Sequence, residues 1–123
     1  MTTPLATPGD MVDLHPSTMS LDGKQLTVLV KTQDVEIIQL LIPKGSSIPT
    51  YQAEGEIILH CVEGRVSLAV LGEPHELRAG QLLYLALNEP FSIEGLEQAS
   101  VLATIIAPKQ GPNVELIGGQ KPT

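Results

Sequence analysis

The chain has 123 residues, 42% of them hydrophobic, which is enough for one domain with a single core. Fourteen Asp and Glu residues against seven Lys and Arg give a net charge of −7, and the basic residues occur singly along the sequence. Such a chain repels nucleic acid and anionic lipid surfaces. We therefore expect neither nucleic acid nor a membrane as a partner.

The cellular compartment is indicated by one cysteine and by the hydropathy pattern. Cys61 has no second cysteine with which to form an internal disulfide, as is typical of proteins in a reducing compartment. The first twenty residues have neither the basic nor the apolar region of a secretory signal. No run approaches the roughly 18 apolar residues of a membrane helix. The sequence predicts a cytoplasmic protein.

The predicted elements are short strands between turns. Proline and glycine near both ends predict an extended arm over residues 1–20, one domain over 21–108 and a tail over 109–123. Breaks containing Gly, Pro, Asn or Asp separate apolar segments at spacings of about 8 to 12 residues, a pattern typical of an all-β sandwich or barrel. The predicted strands are 26–30, 35–42, 57–62, 66–71, 81–87 and 100–107.

A first set of spacings lies between two glycines in the middle of the chain. Gly45 is followed by five residues and Tyr51, one residue and Ala53, three residues and Ile57, then six residues and Gly64. This spacing resembles the first motif of the cupins, which are small β-barrels. In metal-binding cupins the three internal positions hold His, His and Glu.

A second set of spacings begins 15 residues later. Gly80 is followed by five residues and Ala86, one residue and Asn88, two residues and Phe91, then three residues and Gly95. It resembles the second cupin motif, with Phe91 at the position of a His ligand and Asn88 at that of a turn glycine. The resemblance implies a small bacterial single-domain cupin: an all-β, double-stranded β-helix (jelly-roll) barrel of two packed antiparallel sheets.

The chemistry at these positions departs from the metal-binding members of the family. Ala, Ile and Phe supply no imidazole, carboxylate or thiolate, and a lone phenol is a poor ligand. We therefore predict no metal, no other cofactor and no catalytic residue, but an apolar pocket for a small organic ligand with a phenol as its polar group. The predicted pocket residues are Tyr51, Ala53, Ile57 and Phe91, to which Gln39, Cys61 and Thr104 could add.

Two enzymatic alternatives remain open beside ligand binding. A metal-independent isomerase or epimerase needs a pocket histidine as its base. His60 is the only candidate, because His15 lies in the arm and His75 in a predicted solvent-exposed turn. Strand alternation from Ile57 places residues 59, 61 and 63 inward and His60 on the opposite face. The other alternative is a metal-dependent cupin oxygenase with atypical ligands.

Several predicted strands are apolar on both faces, among them 26–30 and 57–62. Both faces are then expected to be covered, one by the barrel interior and the other by a second sheet or subunit. Small cupins commonly dimerise through the outer face of the barrel, and the resemblance therefore implies a homodimer.

Overall fold

The structure is a computed structural model that describes residues 5–15, 25–86 and 89–107. No helix long and apolar enough to cross a membrane is found in these ranges. Their regular elements are β-strands. In chain order these are β1 (Gln25–Lys31), β2 (Val35–Ile42), β3 (Ser47–Tyr51), β4 (Glu56–Glu63), β5 (Arg65–Val70), β6 (Glu73–Arg78), β7 (Leu82–Leu85), β8 (Phe91–Gly95) and β9 (Ala99–Ile106).

The strands form two antiparallel sheets that pack face to face. The five-stranded sheet has the order β1-β2-β9-β4-β7, and the four-stranded sheet has the order β3-β8-β5-β6. Every neighbouring pair is antiparallel. The predicted all-β fold with two packed antiparallel sheets is thus confirmed. Strand β9 lies between β2 and β4, so residues far apart in sequence are joined in one sheet.

The core lies between the sheets because the strands alternate buried and exposed residues. In β4, Ile57, Leu59 and Cys61 are buried, while the residues between them are partly exposed. Strand β5 buries Val66 and Leu68 from the opposite sheet in the same way. Burial of one such aliphatic side chain stabilises the fold by roughly 1.5–3 kcal/mol. These inward positions form one continuous apolar cluster.

The connections divide the barrel into two ends. At the Tyr51 end, defined by the last residue of β3, turns connect β1 to β2, β3 to β4, β5 to β6 and β7 to β8. At the opposite end, called the Gly64 end, turns connect β2 to β3, β4 to β5, β6 to β7 and β8 to β9. Each sheet therefore contributes strand ends to both openings of the barrel.

Three motif glycines occupy the backbone conformation that their turns require. Gly45, Gly64 and Gly80 have φ angles of 84°, 77° and 90°, in the left-handed region that glycine adopts without steric cost. Gly64 alone separates β4 from β5, so the chain crosses from one sheet to the other within one residue. A Cβ atom here would overlap the carbonyl oxygen of Gln98 and lie 2.8 Å from Cα of Ala99.

The six predicted strands correspond to β1, β2, β4, β5, β7 and β9, each with ends shifted by at most two residues. Strands β3, β6 and β8 were not predicted. The predicted turn around His75 is wrong, because His75 lies within β6, although its side chain is exposed as expected. Asn88 and the predicted tail 109–123 lie outside the described residues, and the domain boundaries stay predictions.

The N-terminal arm lies against the outer face of the five-stranded sheet. Ala6 donates a backbone hydrogen bond to the carbonyl of Leu29, at 3.1 Å. The Gln39 side chain accepts a hydrogen bond from the His15 backbone N–H at 3.0 Å and donates to the His15 carbonyl at 2.8 Å. It also donates to Oγ of Ser100 at 2.9 Å. This buried amide fixes the arm to β2.

Candidate functional site

An apolar cavity of about 130 Å³ lies between the two sheets towards the Tyr51 end. Ten side chains from both sheets line it, and the phenol of Tyr51 is the one polar group among them. A cavity with this lining favours an apolar guest over water. The lining residues are Leu26, Ile38, Leu40, Ile48, Tyr51, Ile57, Phe91, Ile93, Ala103 and Ile105.

Three of the four predicted pocket positions meet in this cavity. Tyr51 and Phe91 pair across β3 and β8, with ring centroids 5.9 Å apart and an edge-on angle of 78°. Ile57 enters the same space from β4 and is buried. Ala53 is also buried, but it lines an adjacent recess rather than the cavity.

The cavity opens between two edge strands. Leu26 on β1 and Tyr51 on β3 are its most exposed lining residues, at 60% and 48%. Tyr51 therefore stands at the mouth and not deep in the barrel. Leu26 was not among the predicted pocket residues. It pairs with the inward-facing Leu40 of β2, and such pairing places both side chains on one face.

Two residues that were predicted as additional lining lie on the wrong face. Gln39 points away from the cavity and binds the arm through His15, because the inward positions of β2 are its neighbours Ile38 and Leu40. Thr104 likewise lies on the outer face, between the inward residues 103 and 105 of β9. Neither residue contributes a hydrogen-bonding group to the cavity.

Cys61 faces the core, as predicted, but it does not line the cavity. Its Sγ donates to the carbonyl oxygens of Glu63 and Gly64, both at 3.4 Å. Burial raises the pKa of the thiol, so the nucleophilic thiolate is disfavoured. The prediction that residue 63 also points inward is wrong, because the β4–β9 register shifts between Cys61 and Glu63 and exposes the Glu63 side chain.

His60 lies on the outer face of β4, as predicted, opposite Leu82 of β7 and Leu102 of β9. The described residues that line the cavity include no histidine. Within residues 5–15, 25–86 and 89–107, no group of three or more His, Cys, Asp and Glu side chains could hold a metal ion. The side chains at the four cupin ligand positions do not fit a metal either, since three of them are hydrocarbon.

A shallow open recess adjoins the cavity at the Tyr51 end. The recess shares Tyr51 and Ile105 with the cavity, and its polar lining includes the side chains of Glu36 and Glu54. Lys31 lies 3.7 Å from Glu36, in a solvent-exposed ion pair. Glu54 forms no ion pair with any described residue.

The architecture is similar to that of several solved structures. A conserved protein of unknown function from Streptococcus pyogenes superposes with a TM-score of 0.72 and 17% identity, over 88% of this chain and 98% of its own. A cupin superfamily protein from Desulfitobacterium hafniense also gives 0.72, with 13% identity over 86% and 100% of the two chains. The fold is that of the cupins.

One cupin relative is similar in both sequence and structure. An RmlC-like cupin from Methanocaldococcus jannaschii (MJ0764) with a double-stranded β-helix superposes with a TM-score of 0.66 and 19% identity, covering 80% of this chain and 94% of that one. In sequence, this uncharacterised protein is 26% identical over 74 residues, 59% of this chain and 64% of the relative. The matched region thus spans less than two thirds of the relative's length.

No family model matches the chain. The cupin fold therefore rests on the structural likeness, at identities below 25%, which carries no activity with it. The cavity and its lining must decide between the functions that the cupin barrel can host.

Proposed function

We propose that this cupin binds a small organic molecule whose apolar part fills the cavity between the sheets. The single observation that carries the proposal is the apolar cavity that has Ile57 and Phe91 in its wall and the phenol of Tyr51 at its mouth. Its volume of about 130 Å³ approaches that of engineered cavities that take up benzene, which measure about 150 Å³. A ring or a short aliphatic chain is the class of group that fits.

The same lining supports binding without metal and without catalysis. The described residues that line the cavity include no His, Asp, Glu or Cys, the groups that most often accept a proton near neutral pH or bind a metal. Within the cavity this lining gives the isomerase-like alternative no histidine base and the oxygenase alternative no metal ligand set. Cys61 is the one cysteine of the chain and is buried, so no internal disulfide is available, which supports a reducing compartment that we take to be the cytoplasm.

Ligand binding is tested by a substitution that enlarges a side chain in the cavity wall and so occupies the cavity. Ala103 lines the cavity, and Ala103→Leu adds three carbons to a space that can hold them. We expect wild-type protein to show chemical-shift changes of the Ile57 and Ile105 methyl groups on titration with toluene, and a raised melting temperature. The Ala103→Leu variant should keep its fold and lose both responses.

The matched control is Ala69→Leu, which adds the same side chain on the partly exposed face of β5. This variant should bind toluene as the wild type does. If neither toluene nor benzyl alcohol perturbs the lining methyl groups of the wild type, the proposal is rejected. Stoichiometric iron, nickel or zinc retained through dialysis would reject its metal-free part.

We further propose that the protein is a homodimer formed through the outer face of the five-stranded sheet. This face carries Ile58, Leu82 and Leu102 on three neighbouring strands. Leu82 is 62% exposed in the single chain. Apolar side chains that lie together on a sheet face are typical of an interface, and a second copy of the chain offers the same apolar face.

Light scattering measures the assembly directly. We expect wild-type protein at about twice the chain mass of 13.1 kDa, and Leu82→Glu at the monomer mass, because the substitution places a charge in an apolar interface. Leu71→Glu is the control, since Leu71 is exposed in the β5–β6 turn away from this face. A wild-type mass near 13.1 kDa would contradict the dimer.

A further inference from the structure

The cavity and the acidic recess are adjacent, because Tyr51 and Ile105 line both of them. A ligand whose apolar part fills the cavity would have its other end at the Tyr51 ring, beside the recess. Glu36 and Glu54 are the charged side chains that line this recess. The chemistry of the recess therefore selects the polar end of the ligand.

Charge is distributed unevenly between the two ends of the barrel. Among the described strands and their connections, the Tyr51 end carries one Lys against six carboxylates, a net charge of −5. The Gly64 end carries one Lys and two Arg against four Glu, a net charge of −1. The six carboxylates are Asp34, Glu36, Glu54, Glu56, Glu73 and Glu89.

The one described cation at the Tyr51 end does not neutralise the recess. Lys31 reaches Glu36 at 3.7 Å, but its side chain is 60% exposed, and a pair of this kind is largely screened by water. Glu54 has no such partner among the described residues. A second cation is therefore attracted to the recess, and an anion is repelled from it.

The aromatic ring of Tyr51, at the mouth of the cavity, also favours a positively charged group. Tyr51 borders both spaces and is about half exposed. A cation placed over the face of a tyrosine ring is attracted by the ring's quadrupole, which adds to the effect of the carboxylates. An anion in the same place gains nothing from the ring.

We propose that the ligand is a small organic amine, with its ring or alkyl chain in the cavity and its ammonium group in the recess beside Glu36 and Glu54. This inference rests on the proposed binding function and narrows it to one class of ligand. Small apolar carboxylates and phosphates are excluded by the same charges, although their apolar parts would fit equally well.

The test compares three probes that share one ring. Benzylamine, benzyl alcohol and benzoate are titrated into the full chain, and the shifts of the Ile57 and Ile105 methyl groups report occupancy of the cavity. We expect benzylamine to bind with millimolar affinity, as small ligands do, and about tenfold more tightly than benzoate, with benzyl alcohol between them. In about 1 M salt the preference should shrink, because the Debye length falls to about 3 Å.

Variants that remove one carboxylate charge test whether the preference for benzylamine arises from the recess. Glu54→Gln and Glu36→Gln should each weaken benzylamine binding by about twofold, and the double variant should abolish its advantage over benzyl alcohol. Affinity for benzyl alcohol should not change. Glu94→Gln, which makes the same change of charge on β8 near the Gly64 end, should leave all three affinities as they are.

The outcomes separate the two proposals. If none of the three probes shifts the lining methyl groups, the binding function itself fails, and this inference fails with it. If benzyl alcohol or benzoate binds at least as tightly as benzylamine, the cavity remains a binding site and the amine is rejected. If Glu94→Gln weakens benzylamine binding as much as Glu54→Gln does, the selectivity does not arise in the recess and the inference is overturned.

Discussion

Replacement of Gly64 by alanine is expected to destabilise the barrel by about 3 kcal/mol or more. An L-residue at a φ of 77° costs roughly 1–2 kcal/mol on its own. The added Cβ would also overlap the carbonyl oxygen of Gln98, which is backbone and cannot rotate away. Urea denaturation measures the loss, and failure to recover folded protein is the extreme of the same result.

A second glycine separates the two contributions. Gly72, in the β5–β6 turn, has a φ of 82°, and a Cβ added there meets no heavy atom within 4 Å. Gly72→Ala should therefore cost only about 1–2 kcal/mol, from backbone conformation alone. If the two variants lose the same free energy of unfolding, the connection from β4 to β5 has room for a side chain at position 64, and the steric part of the prediction is wrong.

Leu59→Ala is expected to cost about 3–4 kcal/mol and to lower the melting temperature by about 12–15 °C. Leu59 has no exposed surface, and it belongs to the apolar cluster between the sheets. Truncation removes the transfer free energy of the side chain and leaves a cavity that rigid strands cannot close. Calorimetry and urea denaturation should agree on the loss.

The control makes the same truncation at the rim of the barrel. Leu26 is 60% exposed, so Leu26→Ala should cost less than about 1 kcal/mol. A Leu26→Ala variant that loses as much stability as Leu59→Ala would show that the core does not lie where the strand alternation places it.

The strands that the sequence predicted are those whose burial gives a clear apolar signal. Strands β4 and β5 alternate apolar residues with partly exposed ones, and β2 and β9 are apolar over most of their length. The family spacing supplied the rest of the architecture, since turn glycines such as Gly64 and Gly80 are fixed by backbone geometry and survive changes in the side chains around them.

The strands that were missed have a weaker signal for physical reasons. Strand β6 is an edge strand, exposed at every position except Leu77, so its sequence is as polar as that of a turn. Its Pro74 reinforced the reading as a turn, yet a proline is tolerated where one side of the strand has no partner. Strand β3, at the other edge of the same sheet, also contains a proline, Pro49, and is exposed at every position except Ile48.

The sequence located three residues of the cavity lining, but it did not predict the face of the sheet on which Gln39 lies. Family spacing located Tyr51, Ile57 and Phe91, which do meet in one cavity. The face on which Gln39 lies was not predictable. The segment around it is apolar on both faces, so its sequence does not alternate between apolar and polar residues in a way that distinguishes inward from outward positions. Its buried amide has the N-terminal arm as its partner, a contact between positions 24 residues apart that no local pattern indicates.

The position of β9 determines when this protein can fold. Strands β2 and β4 make no ladder with each other, and each pairs with β9. The pairs β1–β2 and β4–β7 can form earlier, but the five-stranded sheet cannot be completed during synthesis until residues up to Ile106 have left the ribosome. Until then β2 and β4 each lack one strand partner, and the barrel closes only after the last described strand has emerged.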